Sequence, residues 1–217
     1  MLAHTDESAL LKNLFHTGKR LIYEKGDLII RPGEDPPGVF YIEHGLVKSY
    51  DITKYGDENL LIIRKNGELL GLTYAITQES RGVIYCALTP TIAWLITHDN
   101  FIAFLHRSPN AALPVLDMIT RMYRIHGDRI MTLEYRTVRE RLASFLLTMV
   151  QRFGHTNHNG SVSIEAPLKQ TDIASSINAS RETASRAITD LETKGIISHT
   201  QCFITVHDIA TLKNVLK

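Results

Sequence analysis

The sequence predicts an α+β chain: short antiparallel strands first, then one long helix, then a winged helix–turn–helix. Three observations carry that prediction. Glycines punctuate short apolar runs through residues 21–98. Apolar residues recur every 3.5 positions on average between Ala112 and Leu133. From residue 137 onward the order of patterns is helix, helix, turn, helix, β-hairpin.

Composition bounds the possibilities. At ~150 residues per domain, 217 residues make one or two domains. Hydrophobic residues are 44% and charged residues 22%, a globular balance that argues against disorder. Lys and Arg total 24 against 23 acidic residues, a net charge of +1, so the chain as a whole is no polybasic coat for nucleic acid. No apolar run reaches the ~18 residues of a membrane helix. The opening MLAHTDESALL has an acidic pair where a secretory leader is basic. Two cysteines, Cys86 and Cys202, cannot build a disulfide framework or supply four cluster thiolates. The expectation is a soluble cytoplasmic protein with no membrane partner.

Residues 1–20 read as a helical lead-in, with Leu10, Leu11, Leu14 and Phe15 at helical spacing. Between 21 and 98, Gly26, Gly33, Gly38, Gly45, Gly56 and Gly67 separate runs such as VFYIEH and NLLII. Many short strands at close spacing predict an antiparallel sandwich or barrel. VIYCALTPTIAWLI, with Trp94, reads as β-core. Asp99 is placed to cap HDNFIAFLH. Ser108-Pro109 opens the long helix, and Pro114 is tolerable only near its start.

In that helix Ala112, Leu116, Ile119, Tyr123, His126, Ile130 and Leu133 alternate spacings of four and three. Such a seam suits a second helix of a dimer; packing on the chain's own sheet is the alternative. TVRERLASFLLTMVQRF is amphipathic, GHTNHNG is a turn-rich loop, and DIATLKNVL closes the chain as a short helix. The expected divisions are 1–108, 109–135 and 136–217.

Residues 170–194 carry the chemistry. Ile173, Ala174 and Ile177 form one apolar face, and Ala184, Ile188 and Leu191 another. Asn178 sits at the tight turn, where left-handed geometry is needed and asparagine tolerates it. Ser180 is a good N-cap. The outer face holds Arg181, Glu182, Ser185, Arg186 and Thr189, with i,i+4 neighbours sharing a strip. An arginine fork fits guanine O6/N7, and a glutamate accepts from cytosine N4. A solvated face with an ordinary Glu182–Arg186 pair is the alternative, but the preceding helix, short turn and following wing favour DNA.

ASRETASRAITDLETKGIIS resembles the recognition helix and wing of the cyclic-AMP receptor/fumarate–nitrate regulator (Crp–Fnr) superfamily of bacterial transcription factors. Ser180, Arg181, Glu182, Thr183 and Arg186 match the receptor branch. Asn178 departs from it, since glycine is commoner there. YIEHGLVKSYDITKYGDENLLIIRKNGELLG is similar to the family's β-roll sensor, a cyclic-nucleotide-binding-like jelly roll. LEYRTVRERLASFLL is similar to its hinge, with Thr137 capping the new helix. The resemblance covers nearly the whole chain. It implies a homodimer on double-stranded DNA, reading an inverted TGTGA-like repeat. Arg181 and Arg186 would read guanines, Glu182 a cytosine, and Gln170 and Thr171 would lie near phosphates. It also implies rotation of the DNA-binding domains about residues 134–138, and a contact of the 154–160 loop with RNA polymerase.

In the cyclic-AMP branch a Gly-Glu pair meets ribose and an Arg-Ser pair meets the cyclic phosphate. Gly67-Glu68 resembles the first pair. Arg81-Gly82 stands for the second without its serine. On the helix, His126-Gly127 replaces a Thr-Ser pair that meets adenine, with Tyr123 one turn before. Lost hydroxyls remove ~0.5–1.5 kcal/mol each, so an effector other than cyclic AMP, or none, is favoured. His126 on the seam is more simply a hydrogen-bonded histidine than a pH sensor. His155 and His158 read as solvated loop, not metal ligands. No G-x-S-x-G, P-loop or H-E-x-x-H motif is present, so no enzyme is expected. The competing class is a cyclic-nucleotide-sensing module whose C-terminal domain binds protein.

Overall fold

A computed structural model describes residues 5–200 and 202–216. The chain divides into two compact units. One runs up to Asp51 and resumes over Leu61–Met122; the other takes Ile52–Leu60 and everything from Tyr123 on.

The first unit opens with α1 (Thr5–His16), then β1 (Lys19–Tyr23), β2 (Leu28–Ile30), β3 (Val39–His44), β4 (Val47–Ile52), β5 (Glu58–Arg64) and β6 (Leu69–Leu70). A short α2 (Leu72–Thr77), β7 (Ile84–Ala87), β8 (Thr91–Ile96), α3 (His98–Arg107) and a 3-10 turn (Pro109–Ala111) lead to the long α4 (Ala112–Tyr135). The strands make two four-stranded sheets, ordered β1-β8-β3-β6 and β2-β7-β4-β5. Every recorded strand pair in them is antiparallel. These are the antiparallel layers that the glycine-punctuated pattern predicts, in the arrangement that the resemblance to the β-roll implies.

Between the sheets Ile29, Ile30 and Val47 from one pack with Phe40, Ile42, Leu70 and Ala93 from the other. On the outer side of β3 and β8, Phe15 and Phe101 are fully buried, each worth ~1.5–3 kcal/mol of apolar burial. Gly45 turns β3 into β4 at φ +98, where an added Cβ would lie 2.5 Å from the Pro90 carbonyl oxygen. A side chain there is excluded by both backbone and space.

Two local readings need correcting. The N-cap of α3 is Thr97, whose side chain accepts from the Asn100 N–H, and Asp99 sits inside the first turn. Thr97 has the extended backbone that a cap requires, whereas Asp99 is already helical. The strand region also contains α2, whose apolar run LTYAIT shows no alternation and buries only Ala75.

In the second unit α5 (Val138–Phe153) is followed by β9 (Gly154–Thr156), β10 (Val162–Ile164), α6 (Gln170–Ser176), α7 (Arg181–Thr193), β11 (Ile197–Thr200), β12 (Phe203–Val206) and α8 (Ile209–Asn214). Its sheet runs β11-β12-β10-β9. The loop expected at GHTNHNG is therefore partly strand: His155 pairs with Ser163 across the β9–β10 hairpin. All three β9 residues are exposed, so no alternation announces them. The hairpin tip 52–60 joins this unit through the Leu60 peptide. Its N–H donates to Ser175 Oγ at 3.2 Å, and its carbonyl accepts from Arg129 Nη1 at 2.7 Å.

Candidate nucleic-acid interface

Two short segments build the interface. Ile173, Ala174 and Ile177 are buried, as are Ala184, Ile188 and Leu191, so α6 and α7 turn their apolar faces inward. The turn between them depends on Asn178 at φ 48, the left-handed conformation that its short amide side chain tolerates. The Asn178 N–H donates to the Ser175 carbonyl at 3.2 Å and the Ala179 N–H to the Ala174 carbonyl at 3.0 Å. Ser180 then starts α7, its hydroxyl accepting from the Thr183 N–H at 3.2 Å. Such a cap contributes ~1 kcal/mol.

The helix so positioned leaves Arg181, Glu182, Arg186 and Thr189 exposed and Ser185 half-buried. Ser180 and Thr183 are committed to the cap, their hydroxyl oxygens 3.0 Å apart. Gln170 (half-buried) and Thr171 (exposed) open α6. Arg186 Nε donates to the Glu182 carbonyl at 3.4 Å, a main-chain contact rather than an ion pair with the carboxylate. The Glu182 carboxyl is held below its usual range, first by its own backbone N–H, then by the Ser180 hydroxyl, with Arg181 and Arg186 adding to it. The ionised carboxylate is the form that accepts from an N–H on a base edge. Behind this strip, Asp190 binds Arg139 of α5 at 3.3 Å and Lys194 at 2.6 Å.

Comparison with known proteins matches this sequence to two domain families. Residues 140–215 fit the Crp-like helix-turn-helix domain, and residues 20–108 fit the cyclic nucleotide-binding domain. The chain belongs to the Crp–Fnr superfamily. The global nitrogen regulator of a Nostoc species is 27% identical over 88% of this chain and 86% of its own. The CRP-like cAMP-activated global transcriptional regulator of Mycobacterium tuberculosis is 27% identical over 81% of this chain and 78% of its own. Among solved structures, FixK2 from Bradyrhizobium japonicum superposes with a TM-score of 0.78 at 23% identity, covering 91% of this chain and 96% of that one. This Crp–Fnr protein is therefore a transcriptional regulator with a DNA-binding helix–turn–helix and a cyclic-nucleotide-type sensor domain, and not an enzyme.

The sensor residues singled out from sequence fall in different environments. Gly67 lies in an exposed turn at φ +83, while Glu68 is buried and pairs with Arg64 at 3.8 Å. Arg81 and Gly82 are exposed on the segment between α2 and β7. Tyr123 is 78% exposed and His126 half-buried on α4. Sequence reading passed over two groups inside the roll. Val47, Ser49 and Asp51 share the inward face of β4. Ser49 Oγ and Asp51 Oδ1 are buried without a hydrogen-bond partner among the described residues. An alternation reading marks their face; only the sheet opposite buries it.

Along α4 Leu116, Ile119, Tyr123 and Ile130 are exposed, with Ala112, His126 and Leu133 half-buried. Nothing lies within 4 Å of a Cβ built at Gly127. Among the described residues no cluster of three His, Cys, Asp or Glu could hold a metal, and no helix is long and apolar enough to cross a membrane.

A residue unmarked by any local pattern is Arg141. Its Nη1 donates to the carbonyls of Ile177 and Asn178, both at 3.2 Å, 36 and 37 positions along the chain.

Proposed function

We propose that this regulator acts as a homodimer on an inverted TGTGA-like repeat, each α7 entering a major groove one helical turn, ~34 Å, from the other. The observation that carries the reading is the outward strip Arg181–Glu182–Arg186, with Ser180 and Asn178 fixing the start of its helix. Arg181 and Arg186 read guanines and Glu182 reads a cytosine. Ser185 and Thr189 flank them; Gln170, Thr171, Ser180 and Thr183 lie toward phosphates. The exposed turn of residues 154–160 is offered to RNA polymerase. The dimer forms along Leu116, Ile119, Tyr123, His126, Ile130 and Leu133.

The test is fluorescence anisotropy at fixed salt. Arg181→Ala should cost ~1–3 kcal/mol on the palindrome and relax base choice at one position. Equal affinity of the unaltered protein for the palindrome and a scrambled duplex rejects the reading, and would favour a C-terminal domain that binds protein.

The roll is proposed to take a small effector other than cyclic AMP. Glu68 is engaged by Arg64, Arg81 has no companion serine, and the unpaired oxygens of Ser49 and Asp51 offer acceptors to a ligand's donors. Arg81, Gly82, Gly67, Tyr123 and His126 remain the residues to vary around it. Native mass spectrometry of freshly purified protein checks this. An adduct with the mass of cyclic AMP overturns it. Full operator binding by adduct-free protein points to regulation without an effector.

A further inference from the structure

The guanidinium of Arg141 joins three main-chain carbonyls that belong to two functionally separate places. Nε donates to the Arg136 carbonyl at 2.9 Å, at the junction where α4 gives way to α5. Nη1 donates to the carbonyls of Ile177 and Asn178. Ile177 is the C-cap of α6, so these oxygens sit at its electronegative end, where no intrahelical N–H remains to satisfy them. A cation with a planar fork is suited to that task, because its donors reach several acceptors at once and its charge strengthens each bond.

The turn held this way is the left-handed one. Asn178 sits at φ 48, and two residues later Ser180 begins α7. The tilt of the Ile177 and Asn178 peptides therefore sets where α7 points. The other end of the strut is just as tightly engaged. Arg136 itself pairs with Glu140 at 3.2 Å and donates to the Leu216 carbonyl. The junction peptide, Arg141 and the α6–α7 turn thus form one continuous hydrogen-bonded chain.

We propose that Arg141 is a positioning residue for DNA recognition: it keys the turn that aims α7 to the junction at Arg136. A rotation at the junction then carries the recognition helix with it as a rigid piece. The inference rests on the reading of α7 as the DNA-contacting helix. It assigns Arg141 no contact with DNA.

The experiment compares the full-length protein with Arg141→Met and Arg141→Lys, measuring affinity for the TGTGA palindrome over a salt series and amide exchange along α6 and α7. If the unaltered protein does not prefer the palindrome, the functional reading fails, and exchange alone then decides the strut. With binding intact, Arg141→Met should lose roughly tenfold to a hundredfold in affinity. The slope of affinity against salt should stay the same, since no phosphate contact is removed. Exchange should quicken at Asn178 and Ala179 and stay slow at Ile188 and Leu191. Arg141→Lys keeps the charge but not the fork, and should recover only part of the loss.

Unchanged affinity and unchanged exchange in a folded Arg141→Met overturn the proposal. So does a salt slope lowered by about one charge, which would make Arg141 a phosphate ligand. If Arg141→Met does not fold, Arg141→Lys decides: full recovery of affinity and exchange overturns the strut, and partial recovery supports it.

Discussion

At the scale of single residues, the arrangement of donors and acceptors on α7 does most to define this regulator. Glu182 is exposed, and its own N–H and then the Ser180 hydroxyl hold its carboxyl below the usual range. A carboxylate accepts from cytosine N4 and offers adenine nothing bidentate, whereas an amide pairs with adenine N6 and N7. Glu182→Gln should therefore move preference at one base pair of each half-site from cytosine toward adenine, by ~1–3 kcal/mol. Binding to palindromes varied singly at that position checks this. An unshifted preference would place Glu182 outside the readout. Asn178 shows how much a residue's identity decides locally. Its left-handed φ is expected from the turn alone, and the structure has it.

At the scale of elements, the start of α5 is the best-defined cap in the second unit. The Thr137 side chain accepts from the Glu140 N–H, and Glu140 reaches back to the Thr137 N–H at 2.8 Å and its hydroxyl at 2.7 Å. These bonds hold the Glu140 carboxyl below its ordinary value, the Thr137 hydroxyl first, its backbone N–H next, and Arg136 adding to them. A lowered folded pKa stabilises fully above the unfolded value, about 4.3, and loses that contribution as pH falls through the folded one. Thermal unfolding of Glu140→Gln should trail the unaltered protein at neutral pH and converge with it once the pH has fallen through the lowered folded-state value. A gap that persists in acid would mean that the carboxylate's charge is not what the cap uses. The wing behaves differently as an element. Its sequence carries no Lys or Arg between Ile197 and Val206, in contrast to the two arginines on the outer face of α7.

At the scale of the whole molecule, the apolar seam of α4 is the feature that one chain leaves unsatisfied. Leu116 is 55% exposed and Ile130 63%, on a helix whose other face buries Val115 and Met122. A 3.5-residue apolar repeat is the pattern that the proposed partner helix would cover. Replacing both Tyr123 and Ile130 with Glu should halve the mass seen by light scattering and abolish palindrome binding while each chain remains folded. An unchanged mass removes the seam from the interface. A cleft of about 870 Å³ adjoins the C-terminal half of the helix, between Met131 and Tyr135 on α4, Leu147 on α5 and Ile209 on α8.

Periodicity and turn chemistry alone determined the helix–turn–helix, its two apolar faces, the Ser180 cap and the long helix through Pro114, while the Thr137 cap came from the resemblance to the family's hinge. Each is local: partners lie within four residues, or recur with the helical period, so the pattern is written in adjacent positions. Only tertiary structure decided the rest. Thr97 rather than Asp99 caps α3 because backbone geometry, not composition, selects among neighbouring polar residues. β9 became a strand because β10 was there to pair with it, its own residues being exposed throughout. Glu68 was drawn to Arg64, the Ser49 and Asp51 oxygens were buried on the inward face of β4, and Arg141 was set against a turn 36 residues away. Such contacts join residues that the sequence holds far apart or marks no differently from their neighbours, and folding alone brings them within bonding distance.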